Sequence, residues 1–356
     1  MAFKLWLALK HSSKAIDDVY DKKLPKLTLA LHRGSMIAYF KTRINQFDTI
    51  ELQDIQELCW KILKYVPGKR CVIEYRIIDS KGNEASFIGK VYRKHRGRII
   101  FNKMLNLQGA ASALYSPLNM PRPLWYSDEL NMVFMTKISG TPVTSYLKTE
   151  ASSIDRVIEK IAVNLACLHH LPINSDWLKS GKALVEKYCR PDPERLLEAL
   201  PHLRTCLQET INTLLSNEMP DTPKSWVHGD LGLSQILLDS EQAYFIDFDS
   251  SFVGPPSLDL CVLIASIEHH LGKAAKAVIH QLLANYTQLV PPQHLSGFCY
   301  FKALVYLRKA FIAFRNQSQP GWRDLVNLNM ERAHRFTSRL SRQTLLSVKN
   351  PSYLNH

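Results

Sequence analysis

The stretch SWVHGDLGLSQILLDSEQAYFIDFD, residues 225–249, constrains the fold more than any other part of the chain. It sets His228, Asp230, Gln235, Asp247 and Asp249 among apolar runs that read as short buried strands. Asp239-Ser240-Glu241, between QILL and AYFIDF, is turn chemistry, and a hairpin there brings LGLSQ and the tail of IDFD to one edge. Asp230, Gln235 and Asp247 then converge. A carboxylate at the start of a loop can accept the proton of a hydroxyl, while an amide oxygen and a second carboxylate can hold Mg²⁺ through hard oxygen ligands. Those are the parts of a phosphoryl-transfer site.

At 356 residues the chain is long for one core, and a prior of roughly 150 residues per domain suggests two. Residues 1–64 read as largely helical, with SMIAYFKTRINQF and DIQELCWKILKYV spaced for an apolar stripe. CVIEYRII (71–78) and ASFIGKVYR (85–93) read as an antiparallel pair joined through Gly82-Asn83. RGRIIFNKMLNLQ (96–108) returns to helical spacing, and NMVFMTKI (131–138) reads as a further strand before the turn SGTP. From residue 153 helical patterns dominate, in IDRVIEKIAVNLACLHHL, 182–217, 257–289 and 296–345. The fold class is α+β, a small sheet with one helix followed by a mainly helical region.

HGD, an amide five residues after its Asp, an apolar triplet and then IDFD together resemble the catalytic and metal loops of the aminoglycoside phosphotransferase and choline kinase family. The resemblance implies the bilobal protein-kinase-like fold, with MgATP in the cleft. Its expected division is a helical extension over 1–57, a nucleotide-binding N-lobe over 58–137 and a catalytic, substrate-binding C-lobe over 138–356. By the same resemblance Asp230 is the catalytic base, Gln235 and Asp247 are the metal ligands, and His228 stabilises the loop behind Asp230. Lys90 in FIGKVYR resembles the strand lysine that pairs with the nucleotide's phosphates. The PGKR turn (67–70) takes the place of the nucleotide-covering loop, with Gly68 and Lys69 at its tip. Met135, Thr136, Lys137 and Ile138 form the hinge against adenine. Asp259 in PPSLDL resembles the acid that braces the catalytic loop through backbone hydrogen bonds, and capping of its helix fits the residue as well.

Two positions depart from the family pattern. Members usually carry Asn where this chain has Gln235, and the extra methylene displaces an oxygen that Mg²⁺ needs at about 2.1 Å. Residues 91–127 contain no Asp or Glu, so the helix glutamate that normally fixes the strand lysine is missing, with Asn102 the one weak polar substitute. These changes favour a second reading, a catalytically weak kinase-like module that holds a nucleotide or an anionic partner.

Charge narrows the acceptor. The net charge is +13, and residues 260–356 carry twelve Lys and Arg against three acids, Glu268, Asp324 and Glu331. That disfavours a polycation and points to a small hydroxyl compound, neutral or anionic, with Asp249 and, on one face of KALVYLRKAFIAFR, Arg308 and Arg315 as candidate contacts. Arg332, Arg335, Arg339 and Arg342 recur at helical spacing, as a solvated face or a ridge for an anionic partner. The pairs His169-His170 and His269-His270 lack HExxH spacing, and neither GxGxxG, GxxxxGK[ST] nor a Gly-x-Ser-x-Gly elbow is present. Seven cysteines without a CxxC pair suit reduced thiols in a cytoplasm, and the opening residues have no secretory cleavage pattern. No run approaches the roughly 18 apolar residues that span a bilayer.

Overall fold

A computed structural model describes residues 20–42, 55–113, 118–146, 151–173, 177–217 and 219–346. They fall into two compact units, one within Met1–Tyr115 and Asn119–Gly140, the other within Ser116–Leu118 and Thr141–His356.

The first unit contains helices α1 (Leu27–Leu31) and α2 (Arg33–Lys41), strands β1 (Ile55–Val66), β2 (Arg70–Asp79) and β3 (Glu84–Tyr92), helix α3 (Arg96–Ala113), and strands β4 (Pro123–Ser127) and β5 (Met132–Thr136). The strands form one antiparallel sheet in the order β1-β2-β3-β5-β4. Alternation sends Ile73, Tyr75, Ile77, Phe87, Val91, Met132 and Phe134 to one face, in one buried cluster with Leu27, Leu31 and Phe40 of α1 and α2. Phe40 meets Tyr75, Phe87 and Phe134 at ring separations of 5.4, 5.1 and 5.8 Å, and the Tyr75 hydroxyl donates to the Ala30 carbonyl at 2.6 Å. Register sets Val72 opposite Lys90 and Lys90 opposite Val133, which places Lys90 on the other face.

The helical reading of DIQELCWKILKYV is corrected here, because Ile55–Val66 is strand β1, paired along its length with β2 from Ile55↔Asp79 to Val66↔Arg70. Leu58, Ile62 and Tyr65 satisfy a helical stripe, but Ile, Cys, Trp, Tyr and Val also suit a pleated surface, and pairing with β2 decides between the two. The expected limit between 57 and 58 therefore falls inside a strand. β4 was not anticipated, since a five-residue run that opens on Pro123 carries little strand signal of its own.

The second unit runs β6 (Thr141–Pro142), α4 (Val143–Tyr146), α5 (Ala151–His170), α6 (Gly181–Tyr188), α7 (Pro193–Ala199), α8 (Arg204–Ser216), β7 (Ser225–Val227), β8 (Ile236–Leu238), β9 (Ala243–Phe245), β10 (Phe252–Gly254), α9 (Pro256–Leu271), α10 (Ala275–Thr287), α11 (Phe298–Arg315) and α12 (Trp322–Leu346). Its core is built from α6 to α9, α11 and α12, with Leu207, Cys261, Leu304, Phe311 and Val326 fully buried. None of the described helices is long and apolar enough to cross a membrane.

Candidate active site

β8 and β9 form the anticipated hairpin, in register from Ile236↔Phe245 to Leu238↔Ala243. Asp239 shapes its turn, accepting from the Glu241 and Gln242 amides at 2.8 and 2.6 Å. Beyond the hairpin the Ile246 amide donates to the Gln235 carbonyl at 2.9 Å, which ties the two ends of the motif together.

The loop His228-Gly229-Asp230 leaves β7 and is braced from behind. Asp259, in the first turn of α9 and fully buried, accepts the His228 amide on Oδ2 at 2.6 Å and the Gly229 amide on Oδ1 at 2.8 Å. Only glycine suits position 229, where φ is +72° and a Cβ would lie 2.7 Å from the Ser250 carbonyl oxygen. His228 is buried, donates from Nε2 to the Ile246 carbonyl at 2.9 Å, and packs 4.7 Å from the Phe248 ring. Ile246 is thus held at both its amide and its carbonyl, and the next residue, Asp247, sits in the left-handed region at φ 71°, ψ 50°. Asp tolerates that conformation better than most side chains, at a cost of order 1–3 kcal/mol that the two bonds on Ile246 help to offset.

A second layer lies behind Asp259. His169 reaches Asp259 Oδ2 from Nε2 at 3.4 Å, its Nδ1 lies 2.6 Å from the Tyr286 hydroxyl, and that hydroxyl lies 3.3 Å from Nδ1 of His294. One tautomer set satisfies all three contacts: His294 donates to Tyr286, Tyr286 to His169, and His169 to Asp259. His169 therefore serves the loop from the core, which its sequence context did not reveal.

Asp230 is held by Arg308 of α11. Arg308 Nη2 donates to Asp230 Oδ1 at 2.6 Å and Nη1 to the Gly229 carbonyl at 3.1 Å. The Arg308 side chain is 13% exposed and that of Asp230 42%, and Oδ2 has no partner among the described residues. The guanidinium also lies 4.8 Å from the Tyr188 ring. Burial pulls the arginine's pKa down, but Tyr188, Asp230 and Asp259 more than offset it, and the net direction is upward. Arg308 thus meets the His228–Asp230 loop itself, and Arg315, the other expected acceptor contact, donates to the Arg190 carbonyl at 2.5 Å. A charged residue inside the apolar run ALVYLRKAFIAF was the available signal.

The Gln235 side chain turns back on its own loop. Its Oε1 accepts from the Gly232 amide at 3.1 Å and the Ser234 hydroxyl at 2.9 Å. Metal coordination through this oxygen would exchange both bonds. Asp249 is 7% exposed, and no group of three or more His, Cys, Asp or Glu among the described residues is placed to hold a metal ion. One hard carboxylate, Asp247, with an amide beside it still fits Mg²⁺, which commonly takes one or two carboxylates and completes its shell with phosphate oxygens and water.

In the first unit Lys90 is 6% exposed on β3. Glu74 occupies the same sheet face one register step away and pairs with Lys137 at 2.5 Å. α3 carries no acid, Lys103 is buried in it, and Asn102 is exposed. At the β1–β2 turn the Gly68 amide donates to Asp21 Oδ2 at 2.6 Å and the Lys69 amide to the Val66 carbonyl at 3.0 Å, so neither amide is open to an anion. Met135 and Thr136 end β5, and Lys137 and Ile138 follow it. On α12, Arg335 pairs with Glu331, while Arg332 and Arg339 lie over the rings of Tyr306 and Phe336. The side chain of Arg342 lies outside the described residues.

A model of the phosphotransferase enzyme family matches residues 74–291. No curated protein matches the chain. Among solved structures, the gentamicin complex of APH(2'')-IIa is 16% identical with a TM-score of 0.53, covering 83% of this chain and 95% of that one. ADP-bound aminoglycoside phosphotransferase APH(2'')-Ib is 17% identical with a TM-score of 0.53, covering 84% and 98%. A choline/ethanolamine kinase family protein from Mesorhizobium loti is 14% identical with a TM-score of 0.51, covering 87% and 98%. At such identities the likeness is one of fold.

Proposed function

Because the chain belongs to the phosphotransferase enzyme family, we propose that it is a small-molecule kinase, moving the γ-phosphoryl group of ATP to a hydroxyl of a neutral or anionic metabolite. The observation that carries this reading is Asp230 itself: Oδ1 is held by Arg308 while Oδ2 is open in a side chain that is 42% exposed. A carboxylate fixed in this way can orient an acceptor hydroxyl and take its proton as the P–O bond forms. Asp259 and Arg308 grip the backbone of His228 and Gly229, immediately before Asp230, so little reorganisation is needed on binding.

In this reading Asp247, with Gln235 once its oxygen is released, holds Mg²⁺, whose charge would neutralise the transferring phosphoryl group. Lys90 pairs with nucleotide phosphates, the backbone of Met135–Ile138 contacts the adenine, and the side chain of Lys69 is what the β1–β2 turn offers a phosphate. Asp249 is a candidate contact for the acceptor. Solved structures of similar fold, an ADP complex and a GDP complex among them, support a nucleotide in this role. Seven free thiols support a reducing, cytoplasmic setting.

A second reading rests on the engaged oxygen of Gln235 and the acid-free α3, which favour a weakly catalytic module that binds nucleotide without efficient transfer. MgATP titration followed by turnover across a panel of hydroxylated metabolites separates the two, comparing wild type with Asp230→Ala. Transfer by wild type alone supports the kinase; nucleotide binding with equal, negligible turnover supports the module; absence of nucleotide binding ends both.

A further inference from the structure

The second unit carries more half-buried positive charge than its own acids neutralise. Lys302, Tyr306 and Lys309 share one face of α11 at helical spacing, toward Glu268 and His269 of α9 and Arg332 and Phe336 of α12. Glu268 is spent, because Oε1 accepts from Lys302 at 3.0 Å and Oε2 from the Tyr306 hydroxyl. Arg308 is spent on Asp230 and the Gly229 carbonyl. Two cations remain. Arg332 lies 5.4 Å from the Tyr306 ring with no carboxylate partner among the described residues. Lys309 is half-buried and has neither hydrogen bond nor ion pair among them.

A charge removed from water is ordinarily paired, since an uncompensated one costs several kcal/mol in a protein interior. Here the sequence supplies little to pair with: of the three acids after residue 260, Glu331 pairs with Arg335 and Asp324 lies at the far end of α12. We propose that Lys309 and Arg332, with His269 at the rim, form an oxyanion site, and that its ligand is the carboxylate or phosphate group of the acceptor. The assignment rests on the kinase reading and gives its substrate a class, a hydroxyl compound that carries an anionic group. The charge of Arg308 acts on Lys309, so the site lies within electrostatic reach of the arginine that holds Asp230. An ammonium point charge and a guanidinium fork are complementary donors for such a group. Lys309 and Arg332 lie beyond the family-matched span, and His269 lies within it.

Protonation supports the assignment. Burial, then the charges of Lys302, Arg308 and Arg332, brings the Lys309 ammonium down to about 8, against the upward pull of Glu268. Burial, Lys309, His270 and Arg332 likewise lower His269. The groups facing Lys309 are thus Glu268 and His269 from α9, Lys302 and Arg308 from α11, and Arg332 from α12. Because Lys309 is charged below about 8, anion binding is present at pH 7 and is lost as pH rises through that value.

The test uses thermal unfolding of the full chain in sodium sulfate against sodium chloride at equal ionic strength, for wild type, Lys309→Met and Arg332→Gln. Sulfate keeps the same charge from pH 7 to 9, and the variants subtract its general stabilising effect. The expected result is an upward shift for wild type at pH 7 that largely disappears by pH 9 and in both variants. No excess shift in wild type, or an equal shift in either variant that folds, overturns the site. The acceptor arm measures transfer from MgATP to glycerol, glycerate and glycerol phosphate. Roughly tenfold preference in kcat/KM for the anionic members, lost in Lys309→Met with MgATP binding intact, supports the assignment. Sulfate binding without that preference overturns the acceptor role, and failure of wild type to bind MgATP instead sinks the kinase reading.

Discussion

Arg308 and Gly229 show how much of the site depends on single side chains. Arg308 grips the carboxylate of Asp230 and the carbonyl before it, so Arg308→Met should lower transfer by about 10- to 100-fold with little change in KM for MgATP, and Arg308→Lys should recover part of the rate. Steady-state kinetics on both variants check this, and unchanged kcat in Arg308→Met would sink the positioning role. Gly229→Ala places a methyl group against the Ser250 carbonyl at positive φ, and should cost about 2–4 kcal/mol in denaturant unfolding. Asp259 and His228 were singled out through the resemblance of PPSLDL and HGD to known loops, Asp259 from 30 residues away. The contacts of Arg308 and His169 were not legible, because no motif carries them and their partners lie 78 and 90 residues away in sequence.

Among the elements, the turn between β1 and β2 is pinned from outside the sheet. Asp21 accepts from the Gly68 amide at 2.6 Å, the Tyr65 hydroxyl at 2.8 Å and the Lys23 amide at 2.9 Å. Burial pulls its carboxyl upward, but these bonds outweigh it and the net direction is downward. A depressed carboxyl contributes stability above its unfolded value of 3.8 that is lost as pH falls through the lower folded one. Asp21→Ala should cost about 1–3 kcal/mol and speed amide exchange at Gly68, which hydrogen exchange resolves. The hairpin of β8 and β9 was readable because Asp-Ser-Glu is local turn chemistry. β1 was not, since a twelve-residue run with apolar groups at helical spacing becomes a strand only where β2 offers an edge.

For the whole molecule, acid stability should follow the histidine layer behind the active loop. Burial, then the charges of His169 and His170, holds His294 down to about 4 against an ordinary 6.5. The unfolded chain takes up that proton first, so stability is full above pH 6.5 and declines toward pH 4, a window that thermal melts of wild type and His294→Gln should separate. Deleting residues 1–42 should expose the aromatic face around Tyr75, Phe87 and Phe134 and leave an aggregating chain, as light scattering would show. Local patterning alone determined the β8–β9 turn, the β2–β3 pair and the mainly helical second half, because turn chemistry and apolar periodicity act over a few residues at a time. Tertiary structure decided that β1 is a strand, that α1 and α2 roof the sheet, that Gln235 turns inward and that Arg308 meets Asp230. Each of those outcomes depends on which distant surface a side chain meets, and that is settled by burial and pairing rather than by its neighbours in the chain.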